Sequence, residues 1–403
     1  MRTSLTRIAG YRSVGVPARL SGSLVAMTLL ASALVLATPA GAQSTGKYGF
    51  CPAAKTTANT DLVMTKRAIA PGVSIDKTTM HTAKGAVDVR VLRVDLTHPG
   101  VSITSLHGAL ASGHVLTSLA GGQDVVAATN GMYFSLSYGA PVYPFIAGGR
   151  PMVLSTTPMQ VAGIGANNLA QDGDAWLSGT VRSGAAQMSL TALNLAPRMG
   201  LSVFTSAWGA RRVPLPSDAR TRRVSHGHLS TSTGRFHSVP TGGALLVARG
   251  DVALRWLRSL ATHAPVKITR KVATNAPAPF KQAYGVGTRT VAHADQVSTN
   301  LYCAHSETLA ARTSIAWSRS RTTLMLVTAE SPKGPDNHGL DENQMSALLV
   351  HLRAAGAYAL DGGTSTEMVA RVPGHRHLVL EAAPHGHGQR AIPVGIGVRY
   401  RRG

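Results

Sequence analysis

Residues 340–366 read LDENQMSALLVHLRAAGAYALDGGTST, a helix pattern that runs into a short apolar stretch and then into two glycines. Asp341 is placed to cap the amide of Gln344 while the Gln344 side chain reaches back, and Leu340 is placed to pack on Met345. Met345, Leu348, Leu349 and Leu352 then share one face, and Gly356 is expected to supply the left-handed residue that ends the helix. TTLMLVTAE (322–330) before it and AYAL (357–360) after it read as buried strands. The unit is strand, helix, strand, with its strands expected to pair in parallel and Asp361 just past the end of the second. In such units ligand sites lie at the carboxyl ends of strands.

Working outward, VDVRVLRVDL (87–96) places Val87, Val89 and Val91 on one face and then shifts phase to Leu92, Val94 and Leu96, which predicts a strand with a bulge. DVVAATNGMYF (124–134) is a buried strand entering an Asn-Gly turn, and GGALLVARG and PVKITRKV read as further strands. The stretch 205–240 is basic and polar with no apolar face, so it reads as a surface insertion. The expected fold is α+β: one domain, residues 67–403, around a mixed β-sheet with flanking helices. The strand-helix-strand unit would carry the Asp-Gly-Gly loop.

The first 42 residues place Arg2, Arg7, Arg12 and Arg19 before an apolar core that ends in Ala40-Gly41-Ala42, the pattern of a signal peptide. The uncharged run Leu24–Ala37 is shorter than the roughly 20 residues of a spanning helix, so no stable membrane anchor is expected. Secretion follows, with 43–66 as a flexible leader. The two cysteines, Cys51 and Cys303, suit one disulfide in an exported chain. Formal charge is +22, leaving +18 without the four leader arginines, so anionic partners are expected. Nucleic acid is excluded as a partner, because aromatics are 5% and no basic cluster interleaves with stacking residues.

Gly362 and Gly363 let the backbone approach a ligand closely, and Thr364, Ser365 and Thr366 add hydroxyls. Asp361 and Glu367 bracket them. Arg312 in ARTSIAW and Arg390 in GQRAIPV enter otherwise apolar or small-residue runs. A buried guanidinium there is either a structural partner to a carboxylate or an anion clamp, and spacing alone leaves both open. His375-Arg376-His377 and His385-Gly386-His387 have a metal-like spacing but read as exposed loop histidines, so neither metal nor cofactor is assigned.

Taken together, the order Asn130-Gly131-Met132-Tyr133-Phe134, Arg312-Thr313-Ser314-Ile315, a helix, Asp361-Gly362-Gly363-Thr364-Ser365-Thr366 and a late Arg390-Ala391-Ile392-Pro393 resembles the phosphodiester glycosidase family. The resemblance covers about residues 68–400. Met132 and Thr364 stand where the family's motifs have glycine, and Ala329-Glu330-Ser331 stands where an Asp-Gly usually follows the central strand. The resemblance implies a secreted hydrolase acting on a glycosyl phosphodiester or anionic polysaccharide. In that reading Arg312, Thr313, Arg390 and the Gly362–Thr364 amides, with Ser365, hold the phosphate. Asp361 would be nucleophile or base, with Glu367 or Glu330 in a supporting acid/base role, and Asn130 with Gly131 would orient a sugar hydroxyl. The rival is a non-catalytic binder of anionic glycans on the same fold.

Overall fold

VVAATN is buried at every position, which makes Val125–Asn130 a central strand. It lies between Met368–Ala370 and Val394–Tyr400 in an antiparallel five-stranded sheet completed by Val101–His107 and Val379–Ala382. The computed structural model describes residues 50–51, 62–122, 124–293, 296–297, 301–302, 308–330, 339–375, 377–383 and 388–402. The signal-peptide reading, most of the leader, and the Cys51–Cys303 pairing lie outside the described side chains. The backbone of Phe50–Cys51 pairs with Leu301–Tyr302, Cys51 opposite Leu301.

A second sheet of eight strands is ordered Gln296–Val297, Arg289–His293, Gly356–Ala359, Arg312–Trp317, Thr323–Glu330, Gly85–Asp95, Val73–Thr82 and Thr65–Ala70. Ile75, Leu92, Leu326 and Tyr358 from this sheet join Val126, Met368 and Ile396 from the five-stranded sheet in one buried cluster. On its other face the helix Glu342–His351 packs Met345, Leu348 and Leu349 on Val87, Val89, Val91 and Val327. A third sheet, of eleven strands, fills the middle of the chain and shares the first cluster through Phe145, Phe204 and Tyr284.

The protein is mostly β, 50% strand and 9% helix, which is less helical than the α+β expectation. The described residues fall in one compact unit. Among the described residues the sheets are antiparallel, apart from the parallel pairing of Ala186–Leu193 with Gly200–Thr205. In the strand-helix-strand unit, Thr323–Glu330 and Gly356–Ala359 do run in the same direction. They are not paired, however: Arg312–Trp317 lies between them, antiparallel to both. The helical crossover therefore skips one strand position and leaves a slot for the arginine-bearing strand.

Three local readings differ from the structure for physical reasons. Gly85–Asp95 keeps an unbroken register against both neighbours, with no bulge. The phase shift arises because the helix covers Val87, Val89 and Val91 on one face, whereas the other sheet covers Leu92 and Val94 on the opposite face. Gly356 does not end the helix; Arg353 takes the left-handed conformation, at φ 62°. A Cβ at Gly356 would stand 2.5 Å from the Trp317 ring, so the glycine serves close packing. Within the basic stretch 205–240, Arg220–Ser225 is a strand paired with Ala244–Arg249, and Arg222 is buried. Its guanidinium donates to the carbonyls of Thr231 and Leu260, at 3.0 and 2.5 Å, near the end of the helix Asp251–Ser259.

Candidate active site

The loop Asp361–Thr366 is held by backbone from two other elements. The Asp361 amide donates to the Gly131 carbonyl at 3.2 Å, and the Leu360 amide donates to Thr313 at 2.8 Å. The Gly363 amide donates to Ala311 at 2.7 Å. The two glycines serve different needs. A Cβ on Gly362 would meet the Ala311 carbonyl oxygen at 2.8 Å, whereas Gly363 has φ +58° with open space beside it. These bonds also correct the expectation of an open amide nest. Gly363 gives its N–H to the Ala311 carbonyl rather than to a ligand.

Asn130 stands behind the loop. Its Nδ2 donates to the Asp361 carbonyl at 2.7 Å, and its Oδ1 accepts from the Thr313 hydroxyl at 2.8 Å and the Glu367 amide at 3.1 Å. The side chain is buried and fully engaged. It therefore ties the Asn-Gly turn, the Arg-Thr strand and the Asp361 loop together rather than facing outward.

In front of the loop is a cavity of about 190 Å³. Of the residues singled out in the sequence, Asp361, Gly362, Gly363, Arg312 and Thr313 line it. Tyr133, Thr290, Ser314 and Glu342 line it as well; Tyr133 and Ser314 lie in the Asn-Gly and Arg-Thr motifs, whereas no linear pattern singled out Thr290 or Glu342. Glu342 is the first residue of the helix after the Asp341 cap, whose capping box is present as expected. Its carboxylate lies 3.8 Å from Arg312 Nη1, and Arg312 Nε donates to the Leu340 carbonyl at 2.9 Å. Burial draws the Arg312 guanidinium below its ordinary value, against the opposing charge of Glu342.

Burial pushes the Asp361 carboxyl up to about 6, against the Ser365 hydroxyl, the Arg390 charge and the Gly362 amide. Tyr133 is pushed upward too, first by burial and then by Asp361 and Glu342, so its phenol stays a neutral hydrogen-bond donor. Arg390 sits on the loop's other side. Its Nη1 donates to the hydroxyls of Thr364 at 2.7 Å and Ser365 at 3.2 Å, and its guanidinium lies 5.1 Å from the Phe134 ring centre. A chain of contacts thus runs from Arg390 through Ser365 to Asp361.

Glu367 and Glu330 lie off the cavity. Glu367 is fully buried and accepts the amides of Arg390 and Leu116, yet burial still raises it to about 7. Glu330 ends its strand opposite Asp88; burial raises it to about 8, Arg90 and the Ala383 amide oppose this, and Asp88 adds to it. Arg376 and the His385-Gly386-His387 pair lie outside the described residues.

Comparison with solved structures gives the fold. A hypothetical protein from Synechocystis superposes with TM-score 0.68 at 19% identity, covering 84% of this chain and 64% of that one. The chain therefore spans about two thirds, at 64%, of that relative's length. A protein from Burkholderia pseudomallei superposes with TM-score 0.61 at 15% identity, over 78% of this chain and 74% of that one. The zebrafish N-acetylglucosamine-1-phosphodiester alpha-N-acetylglucosaminidase catalytic domain, auto-inhibited by its pro-peptide, covers 90% of this chain and 99% of that one. That pair superposes with TM-score 0.45 at 12% identity. No curated protein matches. Residues 224–399, which hold Arg312, the Asp361 loop and Arg390, match the model of the phosphodiester glycosidase family, and the family likeness read from the sequence motifs is thereby shown.

Proposed function

We propose that the protein hydrolyses a glycosyl phosphodiester, releasing a free sugar and a phosphomonoester. The observation that carries this reading is the meeting of Asp361, Glu342, Arg312 and Tyr133 around one small cavity. Water supplies the oxygen that bonds to the anomeric carbon. The bond from that carbon to the phosphate oxygen breaks, and its electron pair leaves with the phosphate. A phosphomonoester is a good leaving group, so stabilising its charge matters more than strong acid assistance. Arg312 supplies positive charge within the cavity, and Arg390, held by the Thr364 and Ser365 hydroxyls on the loop's other side, adds a second positive charge near Asp361. Asp361, with its carboxyl pushed up to about 6, has the proton affinity suited to proton transfer near neutral pH.

The basic composition supports an anionic polymer outside the cytoplasm as the source of substrate, and secretion is part of the proposal. The test is incubation of the full chain with a synthetic sugar-1-phosphodiester and measurement of released sugar. Turnover that Asp361→Asn abolishes while the fold survives supports the reading; turnover undiminished in that variant refutes the assignment. The commitment of Asn130 and the Gly363 amide to internal bonds favours a second reading, a glycan receptor on the same fold. Saturable binding with no sugar release selects it.

A further inference from the structure

At the end of the strand Val125–Asn130 away from the Asp361 loop, three arginines line a second hollow, a groove of about 600 Å³. They are Arg371, Arg401 and Arg402, and all three are exposed. The segment that carries two of them is pinned on both sides. The Tyr400 amide donates to the Asp124 carbonyl and the Arg401 amide to the Gly100 carbonyl, each at 2.9 Å. A Cβ on Gly100 would collide with the Arg401 carbonyl oxygen, so the two segments lie as close as glycine allows. Arg371, on the other side of the groove, donates its amide to Val126 at 2.8 Å and its Nη2 to the Val125 carbonyl at 3.3 Å.

Charge in this groove is unbalanced. Among the described residues Asp124 is the one carboxylate lining it, and Arg401 Nε already donates to that group at 3.0 Å. Arg402 makes no hydrogen bond or ion pair among the described residues, and the Arg371 guanidinium is held by a neutral carbonyl. Guanidinium groups gathered in this way repel one another, and a bound anion relieves the repulsion. Each presents a planar fork that matches two oxygens of a phosphate. Ile69, Pro71 and Tyr400 add apolar wall. At about 30 Å³ per water the groove has the room of roughly 20 waters, which is more than one phosphate group fills.

We propose that this groove is a second anion site, which binds phosphate groups of a polymeric substrate away from the bond that is cut. The inference deepens the glycosidase reading and rests on it for the nature of the polymer. Val126 lines the groove, and Asn130 of the same strand holds the Asp361 carbonyl. At about 3.3 Å per residue those two positions are roughly 13 Å apart. A single small diester in the cavity leaves the groove empty, whereas a chain of several phosphate-bearing repeats reaches both. The groove therefore selects for chain length and not for the chemistry of the cleaved linkage.

The experiment measures binding of short-chain inorganic polyphosphate to the full chain in wild type, Arg371→Gln and Arg402→Gln. Arg255→Gln, on the exposed side of the helix Asp251–Ser259, is the control that removes the same charge elsewhere. Arg402 has no partner to lose, so its replacement leaves the fold alone. Binding is expected to weaken about fivefold in each groove variant and under about twofold in the control. With a polymeric glycosyl phosphodiester as substrate, Arg402→Gln is expected to raise KM about fivefold at level kcat and to leave a small diester unaffected. Equal weakening by Arg402→Gln and Arg255→Gln reduces the site to net charge and overturns the inference. Inorganic monophosphate bound as tightly as the polymer overturns it too, as do phosphatidylglycerol vesicles bound more tightly through the same arginines. Sugar release from the small diester, with polyphosphate binding indifferent to both groove variants, removes the groove and leaves the hydrolase reading standing. Polyphosphate binding lost in Arg402→Gln, with no sugar released from any diester, keeps the anion site and refutes the hydrolase.

Discussion

Asn130 and Asp361 are 231 positions apart, yet the Asn130 Nδ2 donates to the Asp361 carbonyl at 2.7 Å. The same carboxamide accepts from Thr313 and from the Glu367 amide, so one side chain fixes three segments. Replacing it with alanine leaves a buried carbonyl, hydroxyl and amide without their partner. Asn130→Ala is therefore expected to lower unfolding free energy by about 3 kcal/mol. Urea denaturation checks this. An unchanged midpoint would instead return Asn130 to the role of a substrate contact.

The two loop glycines separate a steric need from a conformational one. Alanine at 362 drives its Cβ into the Ala311 carbonyl, so the loop must move and the cavity lose its shape. Alanine at 363 meets nothing and only strains a residue at φ +58°, which costs about 1–2 kcal/mol. Gly362→Ala is expected to reduce sugar release more than tenfold, whereas Gly363→Ala mainly lowers the thermal midpoint. The opposite ranking in a paired assay would show that the contact with Ala311 does not set the cavity.

What the sequence made legible follows from how far each signal travels along the chain. The capped helix after Asp341 and the strands around it are local patterns, and they stand where the spacing places them. Glu342 was hidden because its neighbours form the capping box, and a carboxylate in a first turn ordinarily needs no further explanation. Thr290 sits inside an ordinary strand pattern; only the slip against Gly356–Ala359 gives it meaning. The phase change at Val91–Leu92 was a difference in which face is covered, a tertiary fact that periodicity cannot distinguish from a bulge. Arg222 misled in the same way, since a charged residue was counted as solvated although its partners are carbonyls at a helix end.

Arg222 gives a prediction of its own. Its guanidinium reaches the carbonyls of Thr231, Leu257 and Leu260 at 3.0, 3.3 and 2.5 Å, where the backbone leaving the helix Asp251–Ser259 needs donors. Arg222→Met keeps the bulk and removes the donors. The expected loss is about 2–4 kcal/mol, and because the group is buried the loss should change little between low and moderate salt. Calorimetry at two salt concentrations checks both points. A loss that vanishes in salt would mark Arg222 as a surface charge.

Three carboxyls raised by desolvation, Asp361 at about 6, Glu367 at about 7 and Glu330 at about 8, set the direction of pH dependence. Their unfolded values are the ordinary 3.8 and 4.5. Between those values and the raised ones, the folded chain holds protons that the unfolded chain has released. The linkage slope for these groups is therefore negative: their contribution is fully present below about pH 4 and is lost as pH rises through each folded value. Glu330 extends that decline furthest, toward pH 8, and it lies off the cavity. Glu330→Gln removes the titration while keeping the shape, so its stability relative to wild type should improve steadily from pH 5 to pH 8.5. Urea midpoints of both proteins across that range measure the difference. A constant gap between the two curves would mean that Glu330 is already ionised in the folded protein at pH 5 and that burial does not hold its proton.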